Sequence, residues 1–211
     1  MTLKNHISTL ALVSILGLTL ASPGFSQTTS TDADGDGVPD TSEVLLGTDP
    51  MVADTDGDGL SDLADTDPAF MANPLDMTGA PAPFAIKEAL VENNYDYAAK
   101  KDATDHLELL VTNSGSTDLS GFGVYYSITD ADTGKVEGIF RQLDGFSVPA
   151  GGEARIHLDD GAAAGHFRAN PNSIYITSQA AKTITVVLKA DGFAPISVDV
   201  AKDKGGAEAA D

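Results

Sequence analysis

Between Asp32 and Pro68 stand twelve carboxylates and no lysine or arginine, and they fall twice into one spacing. Asp32, Asp34, Asp36, Gly37, Val38, Asp40 and Glu43 hold positions 1, 3, 5, 6, 7, 9 and 12 of a twelve-residue stretch. Asp54, Asp56, Asp58, Gly59, Leu60, Asp62 and Asp65 repeat it 22 residues later. Like charges packed this densely repel unless something cationic lies among them. Ca²⁺ is a hard cation that takes about six to eight oxygens at roughly 2.3–2.6 Å and tolerates irregular geometry. In such a loop, acids at positions 1, 3 and 5 begin the cage and a glycine at 6 makes the sharp turn. Position 7 then offers a backbone carbonyl, position 9 reaches through water, and position 12 closes with a carboxylate. The spacing therefore predicts two or more Ca²⁺ ions. Their ligands would be Asp32, Asp34, Asp36, Val38, Asp40 and Glu43, and then Asp54, Asp56, Asp58, Leu60, Asp62 and Asp65. Asp65 is one methylene shorter than Glu43, so the two sites are expected to differ. Mg²⁺ suits the pattern less, because it demands a near-octahedral shell and keeps its waters. The plainer alternative is an acidic, solvated linker.

These loops have little around them to set their shape. Glu43 to Leu46 leaves room for one helical turn before Gly47 and Pro50 interrupt the chain. A pair of EF-hands that open and close would need a helix on each side of each loop, so that reading is set aside.

The joints point elsewhere. Gly47-Thr48-Asp49-Pro50 follows the first loop and Asp65-Thr66-Asp67-Pro68 the second. Loops joined in this way resemble bacterial thrombospondin type 3 repeats. The resemblance covers about 37 residues. It implies a segment with little hydrophobic core, wrapped around a line of Ca²⁺ ions, with Asp49 and Asp67 as supplementary ligands. Vertebrate members usually carry cysteines, and this chain has none. Dockerins are a second resemblance, but they need a recognition helix after each loop, which Asp65-Thr-Asp-Pro68 opposes.

Residues 1–26 read as a secretory signal: Lys4, an apolar run from Thr9 to Leu20, then small residues with expected cleavage after Ser26. The run is too short to span a bilayer comfortably, and no later stretch is apolar enough to do so. Without the signal the net charge is 11 minus 32, or −21. Such acidity argues against nucleic acid and anionic membrane surfaces as partners. With no cysteine, the chain must be held by its core or by metal. Secretion to the cell surface or beyond, or to a periplasm, is the expected destination.

Residues 27–70 form the acidic segment and 71–83 a Pro/Gly/Ala linker. From residue 84 to 200 the pattern changes to short alternating runs broken by turns. Leu107, Leu109 and Val111 share one face, as do Phe122, Val124, Tyr126 and Ile128. Asp130 to Gly134 and Asp191-Gly192 read as hairpin turns. Ile174 to Ile176 reads as a short strand, and 201–211 as a disordered tail. The expected fold is mainly β: an immunoglobulin-like antiparallel β-sandwich preceded by a compact, loop-rich segment.

No catalytic constellation stands out. His106, His157 and His166 show no metal-ligand spacing and read as structural or surface residues. Asp130 and Asp132 fit a hairpin better than a further Ca²⁺ site. One of Tyr125 and Tyr126 must face outward, and loop 159–173 could carry recognition or merely pack. The expected role is structural or adhesive, with a protein or glycan partner at the cell surface. A carbohydrate-binding accessory module is the alternative, although the chain has no tryptophan.

Overall fold

Alternating apolar residues pair into strands where each strand can bury one face against a second sheet. The computed structural model describes residues 30–92, 95–96, 101–102, 106–159 and 161–204. The expected export signal and the end of the tail lie outside the described residues. The described part opens with helix α1 (Asp40–Leu46), followed by strands β1 (Phe84–Glu92), β2 (Tyr95–Asp96), β3 (Lys101–Asp102), β4 (His106–Asn113) and β5 (Gly123–Asp130). Then come β6 (Val136–Gln142), β7 (Glu153–Leu158), β8 (His166–Phe167), helix α2 (Ile174–Thr177), β9 (Lys182–Lys189) and β10 (Ile196–Lys202).

One sheet runs β1–β4–β7–β8 and the other β10–β9–β5–β6, while β2 and β3 make a small hairpin of their own. The order β1–β4–β7 facing β10–β9–β5–β6 is that of an immunoglobulin-like sandwich. All sandwich pairings are antiparallel except β7–β8. Between the sheets lie Leu107, Leu109 and Val111, facing Phe122, Val124, Tyr126 and Ile128, with Ile156, Ile184, Val186 and Leu188. Each such side chain contributes about 1.5–3 kcal/mol on burial. Phe84 and Phe146 both meet Phe122 edge-on, at 5.3 Å between ring centres.

Three segments differ from the sequence expectation. Helix α1 starts at Asp40, so it has seven residues rather than the single turn expected after Glu43. Asp40 and Glu43 in its first turn suit the helix dipole, and Gly47 ends it in the left-handed region at φ 84°. Residues 174–177 form a helical turn rather than a strand, because the Ser173 hydroxyl accepts the Tyr175 N–H and caps it. Strand β10 continues through Ala201 and Lys202, which pair with Thr183 and Lys182, so these two residues are strand and not tail.

The Pro/Gly/Ala stretch is laid across the second sheet as a strap. Phe70 bridges Gly138 on β6 in parallel, and the Met71 N–H donates to the Gly138 carbonyl at 2.9 Å. The Tyr125 hydroxyl donates to the Met71 carbonyl at 3.1 Å. Farther on, Lys189 Nζ on β9 donates to the Asp76 carbonyl at 2.5 Å and the Thr78 carbonyl at 2.7 Å. Ala80 then bridges Phe193 in the β9–β10 turn. Tyr125, on the outward face, is buried under this strap.

Candidate metal centre

The two acidic loops repeat one hydrogen-bond ladder. Asp32 accepts the N–H of Gly35 at 2.9 Å with one oxygen and of Gly37 at 3.2 Å with the other. Asp34 accepts the Asp36 N–H at 3.2 Å, and Asp36 the Val38 N–H at 2.7 Å. In the second loop Asp54 accepts Gly57 at 2.8 Å and Gly59 at 2.9 Å, Asp56 accepts Asp58 at 3.0 Å, and Asp58 accepts Leu60 at 2.7 Å. Gly37 and Gly59 turn the chain at φ 101° and 96°, a region that L side chains avoid. The result gathers Asp32, Asp34 and Asp36 so that one oxygen of each lies within 4.8 Å of the others, and does the same for Asp54, Asp56 and Asp58.

Helix α1 follows directly on the first loop. The helix carries Glu43 inward until it is 0 % exposed. Among the described residues, Glu43 Oε1 receives only a long bond from the Thr48 hydroxyl at 3.5 Å, and Oε2 has no hydrogen-bond partner. Asp34 Oδ2 and Asp56 Oδ2 are buried and unpartnered in the same way. Asp56 is 1 % exposed. A buried polar atom left without a donor costs about 1–3 kcal/mol, and more when it is charged.

Electrostatics agree with the geometry. Burial pushes the Glu43 carboxyl up to about 7, and the charges of Asp34, Asp36, Asp62 and Asp40 add to the shift. Burial likewise pushes Asp56 up to about 7 against the opposing Asp58 N–H, with Asp58, Asp65 and Asp54 adding repulsion. Asp34 and Asp62 are also raised, chiefly by burial. A divalent cation among these oxygens would relieve both burdens at once. The donor set is all oxygen and mostly carboxylate, which fits a hard cation and not a soft one.

Glu43 is near enough to feel the charges of Asp34 and Asp36, and Asp65 near enough to raise Asp56, although the groups with oxygens within 4.8 Å hold only the first three acids of each loop. The acids at position 9 take another job. Asp40 accepts the Ala33 N–H at 2.9 Å. Asp62 accepts the Thr55 N–H at 2.8 Å and its hydroxyl at 2.7 Å. Both therefore pin the second residue of their own loop. The loops are also tied to each other, because Asp36 Oδ2 accepts the Leu63 N–H at 3.1 Å. Val38 is buried and Leu60 exposed, so the two position-7 residues sit in unlike surroundings. Asp49 is engaged elsewhere: its oxygens accept the Met51 N–H at 3.1 Å and Arg168 Nε at 2.7 Å.

Several residues that hold the segment in place have no acidic signature. Arg141 donates to the Thr55 carbonyl at 2.7 Å, Asn170 to the Gly47 carbonyl at 2.7 Å, and Asn172 to the Thr48 carbonyl at 2.8 Å. The useful sequence signal was Arg168-Ala-Asn-Pro-Asn172, a loop rich in side chains suited to binding carbonyls. Loop 159–173 is therefore, over its second half, a seat for the acidic segment.

Asp130 is spoken for by its hairpin. Its Oδ1 accepts the N–H groups of Asp132 and Thr133 and the Thr133 hydroxyl, and its Oδ2 accepts the Ser178 hydroxyl. His157 and His166 stack at 4.8 Å, and His166 Nδ1 lies 2.7 Å from Asp159. Among the described residues no helix is long and apolar enough to cross a membrane.

No family model matches the chain, and no curated protein does either. Among solved structures it is similar to a Northeast Structural Genomics Consortium target, SoR45, at TM-score 0.37 and 12 % identity, covering 62 % of this chain and 94 % of that one. It is also similar to a GH2 β-galacturonidase from Eisenbergiella tayi at TM-score 0.29 and 16 % identity, covering 57 % of this chain and 18 % of that one. An alkylpurine DNA glycosylase from Pseudomonas fluorescens gives TM-score 0.30 and 17 % identity, over 57 % of this chain and 30 % of that one. Likenesses at these scores carry no argument about function.

Proposed function

We propose that this is an exported, non-enzymatic Ca²⁺-binding protein with a structural or adhesive role, built from two thrombospondin type 3-like loops on a β-sandwich. One observation supports it above the rest. In two loops of matching spacing, carboxylate oxygens of Asp34, Glu43 and Asp56 point inward, buried, with no hydrogen donor. Among the described residues no donor reaches these oxygens, and a bound cation would supply the counter-charge. Extracellular modules of this kind bind Ca²⁺ at about 10⁻⁴–10⁻³ M, which matches an exported protein. The loops would be strained and mobile without the ion and ordered with it, and ordering would fix the surface offered to a partner.

Calorimetric titration of the chelated protein with Ca²⁺ tests this. The expected result is saturable binding at two sites, with a higher thermal midpoint and far weaker heats from Mg²⁺. Absence of saturable binding, with an unmoved midpoint, sinks the proposal.

A further inference from the structure

Strand β6 ends its sheet, and the outer edge of an end strand is a row of unpaired backbone groups that proteins must cover or blunt. On β6 that row is covered by the acidic segment and its strap. The Gly138 N–H donates to the Ala69 carbonyl at 3.1 Å, and the Gly138 carbonyl accepts the Met71 N–H at 2.9 Å. The Phe140 N–H donates to the carbonyl of Asp56 at 2.8 Å, and the Phe140 carbonyl accepts Arg141 Nη1 at 2.8 Å. The same guanidinium reaches the Thr55 carbonyl at 2.7 Å. A Cβ on residue 57 would lie 2.4 Å from the Phe140 carbonyl, so Gly57 lets the second loop rest directly on the strand.

Asp56 therefore belongs to two structures at once. Its main chain completes the sheet edge, while its side chain, 1 % exposed and with Oδ2 unpartnered, faces the acids of the second loop. Thr55 beside it is similarly shared: its carbonyl takes Arg141, and its hydroxyl donates to Asp62 and accepts the Asp49 N–H at 2.8 Å. Asp49 in turn holds Arg168 of the sandwich.

From this double use we infer that cation binding in the second loop fastens the acidic segment to β6, so that the ion controls whether the edge of the sandwich is covered. The inference rests on the Ca²⁺ reading above. With the ion bound, the loop keeps the shape that presents the Asp56 and Thr55 carbonyls to β6. Without it, crowded carboxylates push that shape apart and the edge amides open. Coupling of this kind is reciprocal, so weakening the dock from the sandwich side weakens the ion as well.

Residue-resolved amide hydrogen exchange on the exported chain, with saturating Ca²⁺ and with chelator, tests it alongside a Ca²⁺ titration. An opening that must release the ion is suppressed by about 100-fold at free Ca²⁺ near 100 times Kd. Exchange at Gly138 and Phe140 is expected to slow on that order. Arg141→Gln is expected to lower Ca²⁺ affinity by about 5-fold or more, the low end of typical coupling. Arg168→Gln provides the same check should the first variant fold poorly. Normal Ca²⁺ binding with unchanged exchange at Gly138 and Phe140 overturns the coupling and leaves the metal reading standing. Absence of Ca²⁺ binding overturns both.

Discussion

Glu43 and Asp65 hold the same place in the two repeats, in different surroundings. Glu43 is fully buried at the base of the first loop, while Asp65 is partly exposed and accepts the Asp67 N–H at 3.0 Å. Removing the charge at Glu43 should cut two ways. Glu43→Gln is expected to weaken one Ca²⁺ site by about tenfold or more, seen as loss of one class of sites in calorimetry. The same variant should raise the thermal midpoint of the chelated protein, because a buried, crowded charge has gone. A midpoint that falls under chelation would mean that Glu43 stabilises the fold directly. Asp130 behaves in the opposite sense. The Ser178 hydroxyl, and then the Thr133 N–H, hold its carboxyl well below the usual carboxylate range. A depressed folded pKa stabilises the fold above the unfolded value, near 3.9, and that stability is lost as pH falls below it. Asp130→Asn should therefore flatten acid unfolding below about pH 4, measured by circular dichroism, while lowering stability at neutral pH. At this scale the sequence spacing was informative about geometry, because alternate acids turned by a glycine gather Asp32, Asp34 and Asp36, and Asp54, Asp56 and Asp58, within a few residues. The second duty of Asp40 and Asp62, pinning loop starts, was hidden because a carboxylate looks the same whether it binds an ion or an amide.

Short elements were harder to read than long ones. Strands β4, β5 and β9 were legible because alternation over eight residues has one explanation. Ile174-Tyr-Ile176 was not, since three apolar residues suit a strand or a helical turn equally. The deciding feature lies far away in sequence. Glu137 on β6 accepts the Ser173 hydroxyl and the Ile174 N–H, fixing the start of α2 and the loop before it. That loop presents Asn170 and Asn172 to α1's end. Replacing both with alanine would leave the Gly47 and Thr48 carbonyls without these donors, at about 1–3 kcal/mol each if they remain buried. Denaturant unfolding should show a loss in that range, and no loss would mean that water takes over both carbonyls.

At the scale of the whole molecule, composition separates an acidic part from a strand-rich part and says nothing of how they join. A stretch rich in Pro, Gly and Ala reads as a spacer, yet from Phe70 to Ala80 it crosses the outer face of one sheet and hides Tyr125. No local pattern announces such a crossing, because its partners, Gly138, Lys189 and Phe193, lie 67 to 113 residues on. Breaking one tie should show its weight: Lys189→Met is expected to leave Ca²⁺ binding intact while speeding amide exchange at Ala80 and Ala194.

The seat of the acidic segment has a consequence in time. Its anchors on Arg168, Asn170 and Asn172 are 119 to 124 residues away in sequence. Contacts that close such long loops form late, because the chain must first be gathered to make them. The residues that leave the ribosome early are therefore among the last to settle, and they stay accessible until the sandwich is built. In pulse-labelled refolding with Ca²⁺ present, amides of β5 and β9 should become protected before those of residues 54–60.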